Sequence, residues 1–269
     1  MVENDLFAGE KMNRAPLIIG HRGASAYAPE NTLAAFKMAI DAGADGIEFD
    51  VQLAKDGVPV VIHDATLART GLRPENVAGL TAKQIARVDV GSWFNIKYPK
   101  RTNASFSRET VPTLAQVLEL CRDFSGLIYI ELKVNVPDFA SLAKAVCDVI
   151  RSSPQLSQMI VKSFKLAAIP LVRHHLPEVQ TAALFEPTIM NVLRRRKHIL
   201  MIAQEFGAHQ ISLHHSLVTR KLVALATESQ TSVTIWTADN PKWVERCQKL
   251  GIKALITNDP VSQIATLVG

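Results

Sequence analysis

Residues 17–43, LIIGHRGASAYAPENTLAAFKMAIDAG, begin as a short apolar run and end as a helix. The run at 17–19 reads as a buried strand. From 31 to 42 apolar residues recur at helical spacing, and Gly43 stops the pattern. Between the two stand His21 and Arg22, side by side where the strand gives out. A chain that leaves a buried strand and at once presents two cation-forming groups is either making an ordinary turn or using that strand end for chemistry. The ends of the other apolar runs decide between these.

The strand-then-helix unit recurs along the whole chain. Further apolar runs lie at 46–49 continuing into 58–62, then 127–130, 159–161, 181–184, 210–213, 233–236 and 254–256. Taking 46–62 as one extended unit gives eight strands. They are continuous rather than alternating, so both faces are buried, as in a parallel sheet. Helices fill the gaps. Thr81 with Gln84 and Thr113 with Gln116 fit capping boxes, and Asn240-Pro241 and Asp259-Pro260 place a capping side chain before a helix-starting proline. Eight such units predict a (β/α)8 TIM barrel occupying residues 1–269 as one domain. A doubly wound open sheet is the alternative, but no GxGxxG opens the first helix. Residues 64–112 break the rhythm, since a structureless stretch that long is unusual. They read as an insertion after strand two, with a short helix near 81–88 and an apolar pair, Trp93-Phe94.

Composition bounds the function. Of 269 residues 48% are hydrophobic and 20% charged, as in a globular protein with a sizeable core. No apolar stretch reaches the roughly 18–20 residues of a membrane span. The start, MVENDLFAGEKMNRAP, has no apolar core of a signal peptide, which predicts a cytoplasmic protein. Cys121, Cys147 and Cys247 form no CxxC pair and read as reduced, packed thiols. A net charge of +5 is mildly basic, without the dense stripe of a nucleic-acid binder. The one strong run, Arg194 to His198 within a helical stretch at 187–206, reads as a solvated helix face in preference to a nucleic-acid or anionic-lipid patch.

Ionisable residues gather at the C-terminal ends of the strands, the face that carries the active site in barrel enzymes. His21 and Arg22 end the first strand, Glu48 and Asp50 lie in the second, His63 ends its continuation, and Glu131 and Lys133 end the third. Glu48 and Asp50 are two residues apart, so they share a face roughly 6.5–7 Å apart. Three carboxylates on one pocket repel unless a cation lies between them. Oxygen ligands without cysteine select a hard ion, Mg²⁺ or Ca²⁺. Taken singly, each acid reads equally as a helix cap or an ion pair, and each histidine as structural; their convergence on three neighbouring strand units favours a site. His174-His175 and His214-His215 lack such company and read as structural. Three acids against Arg22 and Lys133 leave about −1, and one divalent ion makes it about +1, matched to a phosphodiester anion. Arg22 and Lys133 suit phosphate oxygens, and the two histidines suit acid–base work near a reference pKa of about 6.5.

These residues resemble glycerophosphodiester phosphodiesterases. The resemblance rests on HRG-x-x-x-x-x-PENT from His21, IEFDVQLAKDGVPVVIHD ending at Asp64, Glu131-Leu132-Lys133, Ser163-Phe164 and IWTADN from Ile235, and covers residues 17–260. It implies a barrel with an insertion after strand two. Glu48, Asp50 and Glu131 would bind the metal, His21 and His63 form the acid–base pair, and Arg22 and Lys133 contact phosphate. Trp236 would line a glycerol pocket. Asn31 is expected to cap the first helix, with a hydrogen bond toward the site as the lesser reading, and Thr257-Asn258-Asp259 is an ordinary variation. The implied activity is metal-dependent hydrolysis to glycerol 3-phosphate and an alcohol, through a cyclic phosphate or by direct water attack. The partner is a small-molecule substrate, with no nucleic acid and no stable membrane insertion. The alternatives are a lysophospholipase D-like activity or a non-catalytic phosphate-ligand-binding barrel, the second of which would lack a histidine or acid that this chain retains.

Overall fold

The computed structural model describes residues 15–134, 138–193 and 195–268, the last without its side chain. The N-terminal segment read for a signal peptide, up to residue 14, and Arg194 of the basic run lie outside the described residues. The strands are β1 (Leu17–His21), β2 (Gly46–Leu53), β3 (Pro59–Val61), β4 (Leu127–Leu132), β5 (Met159–Ser163), β6 (Gln180–Phe185), β7 (Gln210–His214), β8 (Ser232–Trp236) and β9 (Ala254–Thr257). The helices are α1 (Leu33–Asp41), α2 (Ala82–Ile85), α3 (Ser92–Lys97), α4 (Leu114–Leu120), α5 (Phe139–Ile150), α6 (Ala168–His175), α7 (Lys197–Glu205), α8 (Arg220–Glu228), α9 (Lys242–Leu250) and α10 (Pro260–Val268).

Eight strands pair in parallel in the order β1-β9-β8-β7-β6-β5-β4-β2, and β1 also pairs with β2, so the sheet closes into the expected barrel. Both strand faces are apolar for different reasons. Outward residues such as Ile47, Phe49, Ile128 and Ile130 pack under the helices, whose apolar stripes match; α5 buries Phe139, Leu142, Ala143, Val146, Cys147 and Ile150. Inward residues Ile19, Tyr129, Ile160, Ala182, Ala254 and Ile256 fill the barrel. The two-residue period carries the same inward columns on to His21, Glu48, Asp50, Glu131 and Lys162. Register sets Glu48 beside His21 and Tyr129, and Asp50 beside Glu131, which in turn adjoins Lys162.

Two readings need correction. The stretch 46–62 is not one extended strand. It reverses at Gly57, whose φ of +76° favours glycine, and β3 runs antiparallel to β2 with Val61 opposite Val51. The reversal brings Ile62 back to bond the Asp50 carbonyl at 3.0 Å, which delivers His63 to the barrel mouth. The stretch 187–206 is not one helix either. Pro187–Asn191 forms a tight 3₁₀ turn, and α7 starts only at Lys197. Arg195 and Arg196 therefore precede the helix rather than lining its face.

The insertion follows the β2–β3 hairpin, which is the sequence's strand-two unit. Its own apolar cluster includes Leu67, Val77, Ile85, Val88 and Val90, and Trp93 and Phe94 pack with Phe106 against Ala28 and Ala35 of the first βα unit. Both capping boxes form. The three cysteines are free and buried, and among the described residues no helix is long and apolar enough to cross a membrane.

Candidate active site

The loop after β1 is shaped by unusual backbone. Arg22 and Asn31 both take positive φ, 55° and 59°, and Gly23 takes 81°. A Cβ on Gly23 would lie 2.4 Å from the Ala35 backbone, so the loop closes onto α1 only with glycine there. Non-glycine residues at positive φ carry strain that surrounding contacts must offset. Asn31 supplies such contacts. Its Nδ2 donates to Asp50 Oδ2 at 2.9 Å, and its Oδ1 accepts from the Asp50 backbone N–H at 3.3 Å. The helix cap is Thr32, whose hydroxyl accepts from Ala35 N. Asn31 thus holds an acid of the site: the expectation that it caps the helix is corrected in favour of the lesser reading, a hydrogen bond toward the site.

Glu48, Asp50 and Glu131 converge: each offers an oxygen, and these oxygens lie within 4.8 Å of one another. Three cations meet them. Arg22 Nε is 3.0 Å from Asp50 Oδ2, and Lys133 Nζ is 2.7 Å from Glu131 Oε1 and 3.3 Å from Asp50 Oδ1. The third was not foreseen. Lys162 Nζ lies 2.7 Å from Glu48 Oε1, inside the barrel. With Lys162 counted, the three acids and three cations balance at zero, which corrects the −1 of the sequence reading.

Burial opposes every charge here, and the outcome differs by residue. For Asp50, burial would raise the pKa, but Arg22 and Lys133 outweigh it and hold the carboxyl well below its usual range. Glu48 is likewise held down against burial, by Lys162 and His21. Glu131 goes the other way, raised by burial and by the Asp50 charge more than Lys133 lowers it. Lys133 stays raised, since Asp50 and Glu131 overcome the burial that would lower it.

Each histidine has an orienting partner. His21 Nδ1 lies 2.7 Å from Asn258 Oδ1. The carboxamide cannot turn over freely, because its Nδ2 donates to Asp239 Oδ2 at 2.8 Å. The Asn258 oxygen therefore faces the ring, and His21 Nδ1 carries the hydrogen, leaving Nε2 as the free lone pair, 3.9 Å from Glu48 Oε2. Burial lowers the His21 pKa, only partly offset by Glu48. His63 Nδ1 donates to Asp64 Oδ1 at 2.6 Å. Arg69, from the insertion, donates through Nε to Asp64 Oδ2 at 2.7 Å and through Nη1 and Nη2 to both oxygens of Glu30, at 2.7 and 2.8 Å. Glu30 also accepts from Arg22 Nη1 at 2.8 Å. One guanidinium thus ties together the supports of His63 and Arg22.

Trp236 ends β8 on another side of the mouth. Its Nε1 donates to Ser212 O at 3.2 Å, and Phe164 and His214 meet its ring edge-to-face at 5.5 and 5.3 Å. It joins an aromatic wall; none of its described contacts is to the acids. His174 and His175 lie on α6, away from the strand ends. His214 joins the wall, its Nδ1 occupied by Ser216.

Sequence reasoning missed Lys162, Asn258 and Arg69. Lys162 had a signal: a lysine at an inward position of an otherwise apolar strand. The others had none, since Asn258 is 237 residues from His21 and Arg69 is 39 from Glu30.

The donor set suits a hard divalent ion. It is all carboxylate oxygen, and Glu48 Oε1, though close to Lys162, has no well-aligned hydrogen-bond donor among the described residues.

Comparison with known proteins agrees with the geometry. The model of the glycerophosphoryl diester phosphodiesterase family matches residues 21–262. A glycerophosphodiester phosphodiesterase of Caldanaerobacter subterraneus is 32% identical over 248 residues, covering 92% of this chain and 96% of that one. Another, of Bacillus altitudinis, is 31% identical over 244 residues, covering 90% and 94%. Among solved structures, an Oleispira antarctica phosphodiesterase in complex with the product sn-glycerol-3-phosphate superposes with a TM-score of 0.81 at 23% identity, covering 95% of this chain and 98% of that one.

Proposed function

The chain belongs to the glycerophosphoryl diester phosphodiesterase family, and from that premise we propose that it hydrolyses glycerophosphodiesters to glycerol 3-phosphate and an alcohol. The observation that carries the site assignment is the convergence of Glu48, Asp50 and Glu131 within 4.8 Å, with His21 and Arg22 in contact with two of them.

Those three acids would hold one divalent cation, Mg²⁺ or Ca²⁺. When bound, the ion offsets the charge that grows on the phosphoryl oxygens. The chain's own residues supply the rest. Arg22 and Lys133 hold the phosphate oxygens, and Trp236 lines the glycerol side. His21, neutral and with Nε2 free, takes the proton from the attacking oxygen as its bond to phosphorus forms. His63 is held by a carboxylate that offsets the charge of an imidazolium. It gives its Nε2 proton to the alcohol oxygen as that phosphorus–oxygen bond breaks. If the attacker is the free glycerol hydroxyl, the product is a cyclic phosphate, which water opens with the two histidines exchanging roles. If the attacker is water, one displacement suffices. Solvent ¹⁸O labelling with a search for the cyclic species separates the routes. Buried reduced thiols support a cytosolic setting.

A cleft of about 290 Å³ favours a second reading. Its apolar lining is Phe164, Leu166, Leu184, Phe185, Ile189 and Val192, with Glu186 and Thr188 as the polar members, and it shares Phe164 with the Trp236 wall. Such a cleft suits an acyl chain on the glycerol, as a lysophospholipase D-like activity requires. Turnover of glycerophosphocholine against lysophosphatidylcholine tests both readings: the first predicts the faster rate on the unacylated diester, the second on the acylated one.

A further inference from the structure

Part of the basic run has no place in the chemistry above. Arg195, Arg196 and Lys197 border a cleft whose other side is the start of α8, where Lys221 adds a fourth cation. Met190, Leu222 and Leu225 form its apolar lining, and among the described residues no carboxylate lines it. All four cations are exposed, and none of their side chains makes an ion pair or hydrogen bond among the described residues. Beside them the loop after β6 exposes Val192, 78% accessible. In a (β/α)8 barrel each helix starts at the C-terminal end of the preceding strand, so the starts of α7 and α8 lie on the same face as His21 and Glu131.

A solvated helix face would spread these charges around α7. The fold instead gathers them at one rim over apolar side chains. We propose that this rim docks the barrel mouth onto an anionic phospholipid surface, with headgroup phosphates at Arg195, Arg196, Lys197 and Lys221 and the Val192 loop against the interface. Charge complementarity selects the anionic surface. The apolar lining and the projecting valine select lipid over nucleic acid, since a single-strand groove would offer aromatic rings for stacking, and this cleft has none. Docking of this kind is peripheral and needs no spanning segment.

The test is co-sedimentation of the full chain with vesicles of phosphatidylcholine alone, or of phosphatidylcholine mixed with phosphatidylglycerol. The protein pellets with the mixed vesicles only, and added salt releases it. The variant Arg195→Gln/Lys197→Gln/Lys221→Gln loses roughly fivefold in partitioning per charge removed, while its turnover of soluble glycerophosphocholine stays at the wild-type level. Equal pelleting with both vesicle types, unchanged pelleting of the triple variant, or preferential binding of single-stranded RNA or inorganic phosphate over the mixed vesicles would each overturn the proposal. Because soluble turnover is read separately, failure of the proposed hydrolysis is distinguishable from failure of docking.

Discussion

Lys162 Nζ lies 2.7 Å from Glu48 Oε1 inside the barrel, and the two side chains are 2% and 0% exposed. A buried pair of this kind is a weak source of stability, but breaking it strands a charge. Lys162→Met is therefore expected to lower stability in chelator by about 3–5 kcal/mol. Divalent ion should restore part of that loss, because Glu48 regains a cation. Urea unfolding with and without Mg²⁺ checks both. Full wild-type stability in chelator would show that the pair carries no such role.

Asn258 sets which nitrogen of His21 bears hydrogen. Asn258→Leu keeps the ring but removes its orientation, so kcat should fall by about 10–100-fold with KM little changed. His21→Ala should lose about 10²–10⁴-fold. Steady-state kinetics on glycerophosphocholine give both values, and equal losses would mean that Asn258 does more than orient.

Arg69 donates to Glu30 and Asp64 at once, and its side chain is 40% exposed, so its removal is not expected to unfold the chain. Arg69→Met should lower kcat/KM by about 10–100-fold. Arg69→Lys should recover little, because one ammonium cannot reproduce the fork. Full activity in the lysine variant would place the effect in charge alone.

Glu30 gives a pH test. Burial would raise its pKa, but hydrogen bonds and charge from Arg69 and Arg22 bring it below its usual 4.5. The folded state thus binds the proton less well than the unfolded chain. Its stabilisation is complete above about pH 4.5 and is lost as pH falls through the folded value. The stability difference between wild type and Glu30→Gln should be largest near neutrality and shrink below that point. A difference that grew on acidification would reverse the sign of the argument.

Much of the barrel was legible because strand ends and helix caps are local signals. The periodicity of 17–43, the capping boxes at Thr81 and Thr113, and the acids two residues apart all state their geometry within a few positions. Asn31 misled because asparagine is as good a cap as threonine; only the backbone shows that Thr32 sits at the helix start and Asn31 in the left-handed region. The hairpin at Gly57 was hidden because two apolar runs look alike whichever way they run. Arg69 and Asn258 act through partners far away in sequence, and no local pattern carries that information.

The central claim is that Glu48, Asp50 and Glu131 together hold one divalent ion. Calorimetric titration of Mg²⁺ and of Ca²⁺ into chelator-treated protein tests it most directly, on wild type, Glu48→Gln, Asp50→Asn and Glu131→Gln. One site per chain in the wild type, lost or strongly weakened in all three variants, is the predicted result. Binding of neither ion to the wild type, or unaltered binding in the variants, would contradict it.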